Sequence, residues 1–215
     1  MLKLKGKNVL NLNELKSKLG VYAPKIMMKS IGTFVKELLN YIIDFLHEDF
    51  NLVLKKPSID YSTIKNVSDK EMGEIYWDGH LKRNLSIFCD TFQQQIKSVW
   101  YCNICRNRNV SFEPFIVLGF DFDINDKNEF TIDECFQKFS KTKICEKYCP
   151  ICRNFQMGQL SKFFWTFPEY LILSFQNILK KRIFSFPDLQ LDLTLNAEIQ
   201  NRFYIYEIVS ICDSL

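Results

Sequence analysis

Apolar positions between Ile31 and Asn51 recur at steps of three and four: Val35, Leu38, Leu39, Ile42, Ile43, Leu46 and Phe50. That period lines one broad face of a helix. Pro57 bars a helix around its own position, because its ring fixes φ and removes a backbone donor. Residues 58–80 are mixed and polar, and Ser68-Asp69-Lys70-Glu71 reads as a helix start. Ser86–Trp100 and Asn109–Phe122 carry apolar and aromatic residues at the density of strands. Thr131–Phe139 predicts a short helix, with Thr131 as N-cap and Glu134 answering three positions on. Phe163–Phe175 is a strongly apolar strand candidate interrupted by Pro168, and Tyr204–Cys212 is another. The mixture predicts an α+β fold in which antiparallel strands run out to a turn and return.

Two of the polar turns carry the chemistry. Tyr101-Cys102-Asn103-Ile104-Cys105-Arg106-Asn107 and Tyr148-Cys149-Pro150-Ile151-Cys152-Arg153-Asn154 each hold a Cys-x-x-Cys pair, with 43 residues between Cys105 and Cys149. Two intervening residues let both thiolates of a pair reach one ion, and two pairs close a tetrahedral zinc site. Cys102, Cys105, Cys149 and Cys152 are therefore the predicted metal ligands, and zinc the predicted structural cofactor. Redox chemistry is the competing reading, because Cys149-Pro150-Ile151-Cys152 resembles a glutaredoxin-type active site. A redox pair needs no second Cys-x-x-Cys, and two disulfides fit an intracellular protein less well. Cys145, four residues before Cys149, competes as a ligand. Cys89, Cys135, Cys145 and Cys212 have apolar neighbours and are expected to be buried thiols. Asp121-x-Asp123-x-Asn125 hints at a calcium loop, but Asp126 stands where that loop needs glycine and Ile132 where it needs glutamate.

Composition narrows the partners. The 215 residues suffice for one substantial core or two small ones, at 47% hydrophobic and 25% charged, with 20 Phe to fill an interior. A net charge of +3 gives no large field for nucleic acid, so none is expected as a partner. No run of about 18 apolar residues suggests a membrane span. The first residues alternate Lys with Leu and do not form a secretory leader, and the six lysines before Met27 read as a solvated segment. An intracellular protein, cytoplasmic or nuclear, is expected.

Several runs resemble one family in order. Ile43-Asp44-Phe45-Leu46-His47-Glu48-Asp49-Phe50-Asn51 is similar to the helix end of ubiquitin-specific proteases. Trp77-Asp78-Gly79-His80-Leu81-Lys82-Arg83-Asn84 and Ser86-Ile87-Phe88-Cys89-Asp90-Thr91-Phe92 resemble the segment leading into that family's fingers. Ser111-Phe112-Glu113-Pro114-Phe115, Thr131–Phe136, Trp165–Leu173, Phe186-Pro187 and Tyr206-Glu207-Ile208-Val209 follow in the family's order, so the likeness covers about Leu19 to Cys212. It implies a partial ubiquitin-specific-protease fold over 1–215: a helical remnant of the thumb at 19–56, zinc-bearing fingers at 86–160, and palm strands at 161–212. Ubiquitin or a deubiquitinase partner is the implied binding partner.

Catalysis in that family needs a cysteine, a histidine and an Asp or Asn. No cysteine precedes Cys89, and His47 and His80 are the only histidines. No catalytic residue is assigned, and a non-catalytic protein is expected. The alternative is an active deubiquitinase whose nucleophile and histidine boxes lie on a separate polypeptide or exon. A makeshift pair of His80 with Cys89 is a weaker expectation. The family's Gln-Gln-Asp falls on Gly32-Thr33-Phe34, its Phe-x-Gly turn on Phe92-Gln93-Gln94, and its His-Leu-Lys-Arg-Phe on Ser174-Phe175-Gln176-Asn177-Ile178. Phe34 cannot pair with a basic tail as an acid would.

Overall fold

The computed structural model describes residues 12–22, 24, 31–61, 64, 66–123, 126–176, 183–187, 190–198 and 203–209. The expectations for Asn125, Asn177, Ile178 and Cys212 lie outside them. Helices form where side chains can satisfy the free amides of their first turn. After α1 (Leu12–Tyr22) and α2 (Ile31–Asp49), α3 runs Asp69–Leu81. Ser68 accepts from the Glu71 amide while the Glu71 carboxylate accepts from the Ser68 amide, a complete capping box. Thr131 and Glu134 do the same for α5 (Ile132–Ser140), as predicted. The strand expected over 86–100 is corrected in its first half. Ser86 accepts from the Phe88 amide and starts a short helix, α4 (Ile87–Phe92), before β1 begins at Gln94.

β1 (Gln94–Cys102), β2 (Arg108–Phe115), β5 (Lys143–Cys149) and β6 (Asn154–Phe164) form an antiparallel sheet in the order β2-β1-β6-β5. The β1–β2 and β5–β6 turns are the two Cys-x-x-Cys segments, so both knuckles lie at the same end of this sheet. The predicted 109–122 strand divides at Ile116 into β2 and β3 (Val117–Asp121). β3 pairs in parallel with β7 (Ile172–Gln176), and β4 (Glu129–Thr131) with β8 (Ile183–Ser185). The 163–175 candidate breaks where expected: residues 165–171 form no strand, and Pro168 lies among them. Of the 204–212 candidate, among the described residues 204–209, only Ile205–Tyr206 is a strand, β10, paired with β9 (Leu191–Asp192).

One core lies beneath α5 and the parallel ladders, built from Ile96, Leu118, Phe120, Phe122, Ile132, Phe136, Phe164 and Phe167 with neighbouring rings. Aromatic contacts run through it, as in the 5.3 Å edge packing of Phe120 on Phe136. β1 is buried on both sides: this core takes one face, and on the other Gln95 donates to the Gly73 carbonyl of α3 and Lys97 meets Asp69 at its start. Lys97 is thereby enclosed, and it is paired with Glu198 at 2.7 Å and Asp69 at 3.4 Å under the rings of Trp165 and Phe163. Asp69 also receives both Arg108 nitrogens, at 2.9 and 2.5 Å. The start of α3 is thus clamped to β1 and β2 by charge-assisted bonds. Among the described residues, no helix is long and apolar enough to cross a membrane.

Candidate metal centre

The ends of β1 and β5 aim their last residues, Cys102 and Cys149, into one small buried cluster with Trp100. Each chain then turns tightly and returns its second cysteine. In the first knuckle the Arg106 amide donates to the Cys102 carbonyl and the Cys102 amide to the Asn107 carbonyl, both at 3.0 Å. Arg106 and Arg153, one residue past each second cysteine, adopt left-handed backbone with φ of 59° and 52°. That conformation is costly for a residue with Cβ and is held by its surroundings.

The four sulfurs of Cys102, Cys105, Cys149 and Cys152 all lie within 4.8 Å of one another. Cys105 and Cys149 are 3.4 Å apart across the knuckles, and Cys102 and Cys152 are 3.9 Å apart. Tetrahedral Zn–S bonds of roughly 2.3 Å place sulfurs about 3.8 Å apart. All four cysteines are free, at separations well beyond the roughly 2.05 Å of a disulfide. The glutaredoxin reading also loses its setting, because Cys149 ends a strand and Cys152 lies in a turn, not at a helix N-terminus that would stabilise a thiolate.

The electrostatics ask for a cation. Burial opposes ionisation of Cys102, but the backbone amides of Cys105 and Ile104 act on its sulfur and bring the thiol down to about 7. Cys152, bonded to Cys105 and crowded by the other sulfurs, is pushed up to about 12. Four such groups cannot all ionise together unless a positive ion compensates them. Cys145 is not one of the group. Its carbonyl accepts from the Trp100 indole at 3.4 Å, and its side chain is half-buried on β5 and not fully buried as expected.

The other chemical expectations resolve as structure. Cys89 and Cys135 are fully buried, and desolvation raises both thiols, Cys135 to about 11. His80 does not pair with Cys89. Its Nε2 meets Gln93 Oε1 at 2.6 Å, and its Nδ1 meets the Asn84 amide nitrogen at 3.2 Å. His47 is the imidazole beside Cys89, with Nδ1 3.8 Å from its sulfur, but that nitrogen is bonded to Ser86 Oγ at 2.6 Å. The Cys89 thiol donates to the Asn84 carbonyl at 2.8 Å. This cluster joins α2 to the start of α4 and keeps Cys89 neutral and shielded. Sequence reasoning misses it, although both runs that build it, Leu46-His47-Glu48 and Ser86–Cys89, belong to the family likeness. In the acidic stretch, Asp126 accepts from the Asp123 amide at 2.7 Å and pairs with Lys138. Its carboxylate is committed to protein partners.

Comparison with known proteins agrees with this architecture. A family model described as ubiquitin carboxyl-terminal hydrolase matches residues 6–212. Ubiquitin carboxyl-terminal hydrolase 5 of Arabidopsis thaliana is 37% identical over 97 residues, 45% of this chain and 10% of that protein. Ubiquitin carboxyl-terminal hydrolase 15 of Homo sapiens is 42% identical over 83 residues, 39% of this chain and 8% of that protein. The matched segments thus make up about a tenth of those relatives. A chain of the SAGA Ubp8/Sgf11/Sus1/Sgf73 DUB module shares the fold, with a TM-score of 0.56 and 21% identity over 95% of this chain and 44% of that one.

Proposed function

Because this chain belongs to the ubiquitin carboxyl-terminal hydrolase family, we propose that it is a palm-and-fingers unit that grips ubiquitin or a deubiquitinase partner without cutting. One structural zinc on Cys102, Cys105, Cys149 and Cys152 ties its two finger hairpins together. The partition into a helical part at 19–56, fingers at 86–160 and palm strands at 161–212 belongs to the same reading, as does an intracellular location.

The observation that carries it is the convergence of four sulfurs from hairpins 43 residues apart. A tetrathiolate zinc site has no open position for water or substrate, so it supplies folding free energy and no chemistry. The non-catalytic part rests on the side chains within these residues. A cysteine hydrolase needs a thiolate exposed to its substrate beside a free imidazole. Here the cysteine beside a histidine is fully buried with a raised pKa, and both imidazoles are engaged by neighbouring side chains.

A second reading keeps the family's activity, with nucleophile and histidine supplied by another polypeptide or exon. It is favoured by the small share of the relatives that this chain spans. Measurements on the purified chain decide. One zinc per chain by metal analysis, saturable ubiquitin binding by calorimetry, and no fluorophore release from a ubiquitin C-terminal conjugate are expected. Release of the fluorophore by the chain alone overturns the non-catalytic reading, and a metal-free protein with unchanged melting overturns the zinc.

A further inference from the structure

We propose that the outer edge of the fingers is a docking site for an extended, acidic and amphipathic segment of a partner protein, added as a strand alongside β5. Among the described residues β5 pairs with β6 alone, so its other edge has unpaired backbone donors and acceptors. Such an edge is a ready template for a further strand.

Side chains alternate along a strand, so Lys143, Cys145 and Lys147 share one face of β5 and Ile144, Glu146 and Tyr148 the other. The second face is open and carries a cluster of apolar side chains around Glu146. Ile144 is 69% exposed, and Tyr148 packs edge-on against an exposed Phe155 across the ladder at 5.7 Å, with Met157 beyond it. The knuckles extend this surface with Ile104 and Ile151, both exposed at the same position of their turns. Clustered exposed apolar side chains mark contact surfaces.

Charge selects the occupant. Residues 101–108 and 143–159 contain Arg106, Arg108, Lys143, Lys147 and Arg153 against Glu146 alone. With Arg108 committed to Asp69, four cations stand against one acid, a formal excess of three. Four thiolates around one divalent ion carry two negative charges, which lowers the excess to one, so the selection rests on Lys143 and Lys147, both exposed on the edge strand itself. A partner strand with acids opposite Lys143 and Lys147 and apolar residues opposite Ile144 and Tyr148 matches both faces. A second copy of β5 paired antiparallel about Cys145 is disfavoured, because it sets Lys143 against Lys147. The exposed rings of Tyr148 and Phe155 also suit stacked bases, so an oligouridine stands in the test as the competing ligand.

The test uses the full chain in zinc-containing buffer and a fluorescein-labelled nine-residue peptide of alternating Glu and Val, read by anisotropy. Saturable binding is expected, with no binding of the matching Lys/Val peptide. The Lys143→Glu/Lys147→Glu variant is expected to bind the Glu/Val peptide roughly tenfold more weakly and to gain affinity for the Lys/Val peptide. Tyr148→Ser is expected to weaken the parent's binding without changing its charge preference. No binding of the Glu/Val peptide up to 500 μM (about the weak end of peptide recognition), equal binding of both peptides, or tighter binding of an oligouridine overturns the proposal. The assay contains no ubiquitin, so its failure leaves the ubiquitin reading standing.

Discussion

Replacing Gly158 by alanine tests how the finger strands are held. Gly158 lies in β6 opposite Cys102 on one side and Cys145 on the other. A Cβ there would meet two atoms of the Trp100 indole and lie 2.5 Å from the backbone carbonyl of Tyr101. Trp100 is 2% exposed, and its ring has nowhere to retreat without losing the bond to the Cys145 carbonyl. The carbonyl cannot move without bending β1 next to Cys102. Overpacking of this kind costs about 1–3 kcal/mol. Weakening the indole bond adds roughly 1 kcal/mol. A loss of about 2–4 kcal/mol lowers the melting temperature of a chain this size by roughly 5–15 °C. Urea unfolding followed by tryptophan fluorescence reads the change directly. Gly20→Ala is the control, because its Cβ would meet nothing within 4 Å. A Gly158→Ala protein within about 0.5 kcal/mol of the parent, the ordinary range for surface changes, would show that the Trp100–Gly158 contact does not constrain the sheet.

Other perturbations probe separate parts of the structure. Gln94 is fully buried with neither amide atom partnered by protein, so Gln94→Met should raise stability by about 1–3 kcal/mol in the same urea assay; destabilisation refutes the packing described. Cys149→Ser should lower the melting temperature and abolish one-to-one zinc retention on dialysis, and an unchanged zinc content would sink the four-sulfur site. The bonds from Arg108 hold the Asp69 carboxyl below its ordinary 3.8. A depressed carboxylate stabilises the fold above its unfolded pKa and loses that contribution as the pH falls toward its folded value. Acid unfolding profiles below about pH 4 should therefore be shallower for Arg108→Gln than for the parent; superimposable profiles argue against the pair. In native protein at pH 8, Cys89 and Cys135 should resist alkylation while urea exposes them, as mass spectrometry of the labelled peptides reads.

Local signals in the sequence are reliable where the cause is itself local. Ser68/Glu71 and Thr131/Glu134 start their helices, because a capping box involves only four residues and their own amides. The two Cys-x-x-Cys turns are legible for the same reason: each turn presents its own pair of sulfurs. Apolar density misleads at 86–92, where Ser86 caps a helix in place of the expected strand and the apolar residues that follow suit either state. Nor does it show that β3–β7 and β4–β8 run parallel, since partners far apart in sequence decide direction.

By itself, then, the sequence determined two thiol knuckles, an α+β mixture, and a family likeness spread over nearly the whole chain. Tertiary structure alone decided that the knuckles close at the same end of one sheet with Cys145 left out, that His47 and not His80 stands beside Cys89, and that Lys97 is enclosed between Asp69, Glu198 and two rings. Periodicity along a chain reports which side of an element is apolar. Whether that side meets a core, a helix or solvent depends on elements tens of residues away, and β1, polar in half its positions yet covered on both faces, shows the difference.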